Sequence, residues 1–389
     1  MASSLPASPI KLLKHADAQV VLIASGGGTQ VIPQLLAQGG ASDVMLEVLV
    51  PYAKSAVAEF LGSDPLAYCS DHTTRQLAVA GWHRSIKLSN QGRNNVGVAV
   101  TASLRSEKPK MGQHRVHVAV HRVLGTLAAT LQLTKNARSR LEEEYIAALL
   151  CLDVLVSAVT EKTDHPWRKQ LEALLLPEEE IVCDECRPPV GWQDLFSSEE
   201  VTVPIKINSE MPASPFSRQM NNRLIFSGSF APLHDGHLAM AGIAEEIAER
   251  PVEWELSVTN VDKPMLDYIE VSRRVEQFKG KTLWLSRAAT FIEKVHVFPQ
   301  STFVMGADTY VRLIDPKYYR GSKTRLNDAI RAICHQSRGL IVFGRMYNQE
   351  YQNPTTFDVP QALREITYFV SEREFRMDVS SSDIRANKT

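Results

Sequence analysis

Apolar positions along the chain fall into two stretches of strand and helix pattern, separated by a segment with no sustained period. In the first stretch, Val20 to Ala24 (VVLIA) is an unbroken apolar run that stops at Ser25-Gly-Gly-Gly28, as a buried strand feeding a loop would. Thr29 to Gln38 is helix-compatible, Val44 to Val50 alternates and halts at Pro51, and Ala53 to Leu61 fits another helix. Val96 to Ala102 and Arg115 to His121 are rich in β-formers. Leu141 to Val159 reads as an amphipathic helix with an acidic first turn, where the macrodipole favours carboxylates.

From Thr160 to Asn222 the chain is crowded with Pro, Glu and Ser (LLLPEEE, CRPPVGW, SEMPASPFSRQ). This predicts a connection over 161–222, joining a domain at 1–160 to one at 223–389. Beyond Arg223, Leu224 to Phe226 is a short strand, and Leu238 to Arg250 is a helix ended by Pro251. Trp254 to Val258, Thr302 to Met305 and Leu340 to Phe343 are further strands, and Ser272 to Phe278 is helical. The predicted class is α/β in both domains, with a doubly wound, Rossmann-like parallel sheet in the C-terminal one. Ligands are then expected beyond the carboxyl ends of its strands.

Composition adds exclusions. With 389 residues the chain exceeds one ordinary core, and its net charge of −1 gives no reason to expect nucleic acid or an anionic membrane as partner. No apolar run reaches the length of a membrane span, and MASSLPASPIKLLKHADAQ lacks the apolar core of a secretory signal. A cytoplasmic location is expected, with an organelle address as the lesser alternative. The five cysteines are odd in number and scattered, which argues against a disulfide framework. Cys183 and Cys186 form a C-x-x-C without a second pair, so loop cysteines are expected rather than a zinc site, and no protein-held metal is predicted.

The densest chemistry lies in FSGSFAPLHDGHLAM, Phe226 to Met240. Gly228 after a strand permits a sharp turn, Pro232 stiffens the loop, and Gly236 keeps a helix entrance bare so that main-chain N–H groups can face an anion. His234 and His237 flank that entrance and can donate hydrogen bonds to phosphate oxygens. Far downstream, VSSSDIR offers capping hydroxyls and then Arg385, whose planar fork suits phosphate.

GSFAPLHDGH with SSSDIR resembles the nucleotidylyltransferase superfamily, which includes nicotinamide and nicotinate mononucleotide adenylyltransferases, phosphopantetheine adenylyltransferases and cytidylyltransferases. The resemblance covers Arg223 to Thr389. It implies that His234 and His237 contact a nucleoside triphosphate, that Gly228, Ser229, Phe230 and Gly236 belong to the same loop, and that Ser381, Ser382 and Arg385 form a second phosphate loop. Gly306 to Asp308 (GAD) resembles the segment meeting the ribose and base, and Lys263 a basic residue near the phosphates. The implied reaction is in-line attack by an acceptor phosphate on the α-phosphorus, with pyrophosphate expelled. No protein nucleophile is needed, and magnesium is held mainly through the phosphates. ATP is the expected donor, and a phosphorylated small molecule, foremost a nicotinate or nicotinamide mononucleotide, the expected acceptor. Transfer to another phosphorylated acceptor, or an inactive nucleotide-binding regulator, are the alternatives. Two departures stand out: Ala231 replaces a common aspartate, and only four residues follow Arg385.

VVLIAS with VLVPYAKSAVAEFLG resembles the amidase domain of the competence/damage-inducible family, which acts on nicotinamide mononucleotide. Ser25 matches its nucleophilic serine and Tyr52 its tyrosine. The family's lysine is replaced by Val57, and its S-G-x-x-G-P loop survives only as TASLRSEKP, so a degenerate domain is expected. The resemblance is also compatible with a homo-oligomer.

Overall fold

A computed structural model describes residues 8–89, 94–108, 111–197, 202–206, 222–261, 264–319, 321–347, 350–352 and 358–375. Its helices and strands follow in the order α1 Pro9–His15, β1 Ala18–Gly26, α2 Val31–Leu36, β2 Met45–Leu49, α3 Lys54–Leu61, α4 Asp71–Leu88, β3 Asn94–Ser103, β4 His114–Arg122, β5 Gly125–Leu133, α5 Arg140–Thr160, α6 Pro166–Glu172, β6 Ile181–Cys186 and α7 Val190–Ser197. Then come β7 Thr202–Lys206, β8 Leu224–Ser227, α8 Asp235–Ala248, β9 Val252–Ser257, α9 Tyr268–Val275, β10 Thr282–Ser286, α10 Phe291–Val297, β11 Thr302–Gly306, α11 Ala307–Arg312, α12 Lys323–Gln336, β12 Gly339–Phe343, β13 Arg345–Tyr347, β14 Glu350–Gln352, α13 Gln361–Glu365 and β15 Thr367–Val370. The chain divides into two compact units, one of residues 1–193 with 262–270 and one of residues 194–261 with 271–389.

The first unit is built on a mixed sheet of order β2-β1-β3-β4-β5-β6. β1 pairs parallel with β2 and β3, and the remaining pairs are antiparallel. Alternation along β1 sorts its side chains. Val20, Leu22 and Ala24 join the core under α5, while Val21 and Ile23 join the core under α3 and α4. α5 is buried on nearly every side and begins with a capping box between Ser139 and Glu142. Helix α4 lies unusually close to β3: a Cβ on Gly97 would stand 2.0 Å from the Ala78 carbonyl oxygen and 2.2 Å from the Trp82 nitrogen.

The stretch expected as a connection over 161–222 carries α6, β6, α7 and β7, with β6 extending the first sheet and β7 closing the edge of the second. LLLPEEE and CRPPVGW hold the turns between α6, β6 and α7, which masks any period, while SEMPASPFSRQ lies outside the described residues. Cys183 and Cys186 accordingly lie on β6, not in a loop. Three residues apart on a strand, their side chains leave opposite faces and cannot share a metal.

The second unit is a sheet of order β15-β12-β11-β8-β9-β10-β7, parallel except for β7. β8, β9 and β10 run outward on one side, and the chain then crosses back to lay β11 on the other side of β8. The strand order therefore reverses between β8 and β11. One face packs Ile225, Phe303, Met305 and Val342 against Val295 of α10 and Ile330 and Ile333 of α12. The opposite face carries an aromatic cluster of Phe226, Phe230, Trp254 and Phe278.

Candidate functional site

The reversal point places two predicted segments together. Phe303 and Val304 of β11 pair with Ile225 and Phe226 of β8, so the two strands deliver Gly306 and the loop from Gly228 at neighbouring carboxyl ends. This is the crevice in which open α/β sheets bind ligands. Gly306 is the N-cap of α11, and Asp308 lies in that helix's first turn. Lys263, Ser381, Ser382 and Arg385 lie outside the described residues.

The loop from Gly228 to Leu233 is shaped by one aromatic ring. Phe230 is 1 % exposed, has a left-handed φ of 41°, and meets Phe226, Trp254, Phe278 and His237 edge-on. Its ring occupies the space a side chain at residue 228 would need: a Cβ on Gly228 would lie 2.6 Å from Phe230 Cζ. The glycine thus makes room for Phe230 rather than serving a left-handed turn. Ser229 is exposed at the loop tip.

His234 caps α8, and its main-chain N–H donates to His237 Nδ1 at 3.3 Å. That acceptor role puts the ring proton of His237 on Nε2, which becomes a donor. The two imidazoles lie 3.8 Å apart between centroids. Burial among the aromatic rings, helped by neighbouring His234, lowers the pKa of His237 to about 4, and burial also lowers that of His234. Both rings are therefore neutral near pH 7. Two buried polar atoms bracket the loop without a hydrogen-bond partner among the described residues: Ser227 Oγ before it and His234 Nδ1 after it. Gly236 is buried in the first turn of α8, whose N-terminal N–H groups carry the positive end of the helix dipole.

Sequence reasoning missed the groups that hold this loop. Gln277 Oε1 accepts from the Leu233 N–H at 2.8 Å, and Gln277 Nε2 donates to the Phe230 carbonyl at 3.2 Å. Arg274 Nη1 donates to the Ser229 carbonyl at 3.0 Å. The available signal was two polar residues three apart in RVEQF, a helix spacing that puts them on one face. Buried Glu255 on β9 was missed as well; it accepts from Ser286 and from Lys294 Nζ, the latter at 2.6 Å.

In the first unit, Ser25 closes β1, is buried, and donates to the Pro51 carbonyl at 2.9 Å. This is the one hydrogen bond of its hydroxyl among the described residues. Tyr52 is 69 % exposed, and Val57 is a core residue of α3. The glycine-rich loop does not offer its N–H groups to an outside anion. Gly28 N–H donates to Glu144 Oε2 at 2.7 Å and Gly27 N–H to the Ala102 carbonyl at 3.1 Å. A Ser-His-Asp grouping that the sequence did not suggest joins α5 to α6: His165 Nε2 lies 3.0 Å from Ser157 Oγ and 3.3 Å from Asp153 Oδ1. Serine and aspartate meet the same ring nitrogen, while Nδ1 accepts from the Arg168 N–H as a helix cap. No proton can be relayed across the ring, so the grouping is structural.

Among solved structures, the chain is similar to competence/damage inducible protein CihA from Agrobacterium tumefaciens, at 22% identity and a TM-score of 0.31, over 41% of this chain and 99% of that one. A CinA superfamily protein from Enterobacter cloacae gives 19% identity and a TM-score of 0.32 over 41% and 99%. One from Escherichia coli gives 14% identity and 0.31 over 41% and 95%. No curated protein matches the chain. Residues 225–387 match the family model described as cytidylyltransferase-like, so the region that carries the paired histidines is a nucleotidyltransferase-like domain.

Proposed function

We propose that the chain transfers a nucleoside monophosphate from a nucleoside triphosphate, foremost ATP, to a phosphorylated small-molecule acceptor, foremost nicotinate or nicotinamide mononucleotide. The observation that carries this reading is the neutral His234–His237 pair at the entrance of α8, with a donor on His237 Nε2 and an unpartnered buried Nδ1 on His234. A helix N-terminus and an imidazole N–H donor hold an anion through oriented hydrogen bonds. The acceptor phosphate supplies the attacking oxygen, the bond from the α-phosphorus to the bridging oxygen breaks, and pyrophosphate leaves with that electron pair. The residues present fit magnesium arriving on the triphosphate. The loop presents donors to an anion, and magnesium would be held through the oxygens of that anion. Charge on the phosphate oxygens would be neutralised by magnesium bound with them.

The acceptor is assigned by association with the amidase-like resemblance of the first unit. In this reading that unit is not an active amidase, because the Ser25 proton is committed to a main-chain carbonyl and Val57 stands in the core. Pyrophosphate release from ATP and CTP across a panel of phosphorylated acceptors tests the assignment, with His237→Ala as control. Loss of one such donor should lower turnover roughly 100-fold. Release no greater than in the control, with every acceptor, would sink the enzymatic reading; tight ATP binding without release would favour a nucleotide-binding regulator. Removing residues 380–389 should abolish triphosphate binding, and unchanged affinity in a titration would remove Ser381, Ser382 and Arg385 from the site.

A further inference from the structure

Resting on the nucleotidyl-transfer reading, we infer that Gln277, with Arg274, is a positioning residue that fixes the phosphate-facing loop before any nucleotide arrives. A six-residue loop with one buried ring has few internal hydrogen bonds to hold its shape. Here three of its main-chain groups are satisfied from α9 and the short 3-10 turn that continues it. The Gln277 amide spans the loop, accepting from Leu233 N–H with its oxygen and donating to the Phe230 carbonyl with its nitrogen. The same nitrogen also reaches the Arg274 carbonyl at 3.3 Å, which fixes the amide's orientation. Arg274 holds the carbonyl before Phe230, that of Ser229.

The chemical consequence concerns signs. A carbonyl oxygen turned towards a triphosphate repels it, whereas an N–H attracts it. Fixing the Ser229 and Phe230 carbonyls on donors of α9 and its extension keeps both oxygens committed there, at the residues next to Gly228. Holding Leu233 N–H on Gln277 fixes the residue immediately before His234, and thereby the direction in which the histidine pair leaves the loop. The device supplies preorganisation, so the nucleotide does not have to order the loop on binding.

The test uses the full chain with Gln277→Ala and Gln277→Glu. The alanine variant removes both arms. The glutamate keeps an acceptor for Leu233 N–H but sets a carboxylate against the Phe230 carbonyl. Hydrogen exchange of a peptide covering 228–238 reads the loop without nucleotide; titration with ATP and with CTP reads binding; the thermal midpoint checks the fold. Expected results are at least tenfold faster exchange in that peptide and at least tenfold weaker triphosphate binding for the alanine variant, with the glutamate variant also impaired and midpoints within a few degrees of wild type. Unchanged exchange, or binding within twofold of wild type, overturns the inference. Failure of the nucleotidyl reading is distinct: wild type would then bind neither ATP nor CTP. Exchange alone would then decide the clamp, and no change in it would overturn the inference.

Discussion

His237 shows how a residue legible by motif takes its properties from unforeseen neighbours. The motif predicted a phosphate ligand; the rings of Phe226 and Phe230, at 6.0 and 5.2 Å, set its charge. With a folded pKa of about 4 against 6.5, the native state binds fewer protons than the unfolded chain between those values. This contribution to stability is complete above pH 6.5 and is lost as the pH falls towards 4. Buried His117, at about 4, acts with the same sign, whereas Asp153, raised to about 6 by burial, acts oppositely between 3.8 and 6. The thermal midpoint should therefore fall between pH 7 and pH 5, and His237→Gln should remove part of that fall. Triphosphate affinity carries the ligand's own phosphate titration near about pH 6, so the profile is compared with that of His237→Gln: the two should share one shape, and a difference centred at the ordinary histidine value would mean that His237 is solvated. At Gly228 an added methyl meets a buried ring, so Gly228→Ala should destabilise by about 1–3 kcal/mol in denaturant titrations. The sequence displayed that glycine but not its reason, because Phe230's inward turn is decided by Trp254 and Phe278, far along the chain.

Elements with one dominant pattern were readable: β1, β8, β11 and β12 as apolar runs, and α5 as a long apolar helix with an acidic cap. Helix α4 was not. DHTTRQLAVAGWHRSIKL carries Gly81, two threonines and no clean apolar stripe, yet it forms eighteen residues of helix capped by Ser70. Its stability comes from tertiary packing, in which small residues let helix and sheet backbones meet. Gly97→Ala tests this directly. The new methyl would collide with backbone of α4, which cannot swing aside as a side chain can, so a loss of about 3 kcal/mol is expected at the upper end of overpacking costs. A change below about 1 kcal/mol in chemical unfolding would mean that α4 can lift from the sheet. The short elements β6, α7 and β7 were hidden for a related reason: each is held by a neighbouring strand or core, not by its own periodicity.

At the scale of the molecule, the two-unit organisation could be read from the alternation of pattern, but its interruption could not. The second contribution to the first unit, residues 262–270, sits among second-unit residues in the sequence and carries no signal of where it belongs. Arg75 shows what it contributes. The guanidinium is 1 % exposed, pairs with Asp267, and reaches Asp71 at 2.9 Å. Tyr268 stacks on His121 and donates to the Val123 carbonyl at 3.1 Å, and Ile269 joins the core under α4. Removing the carboxylate takes away the buried partner of a buried cation and leaves Asp71 at its rim and the charge of Glu270, so Asp267→Ala should cost about 3 kcal/mol in urea titrations, and Asp267→Asn less. A loss under about 1 kcal/mol would show that Asp71 and Glu270 suffice.

That same interruption bears on descent. A module written as one continuous stretch can be traded between genes by a single exchange, but this first unit is written in two pieces. An exchange that carried only the longer piece would deliver Arg75 and His121 without Asp267 and Tyr268. A single stretch that holds both pieces therefore also carries residues 194–261 of its companion.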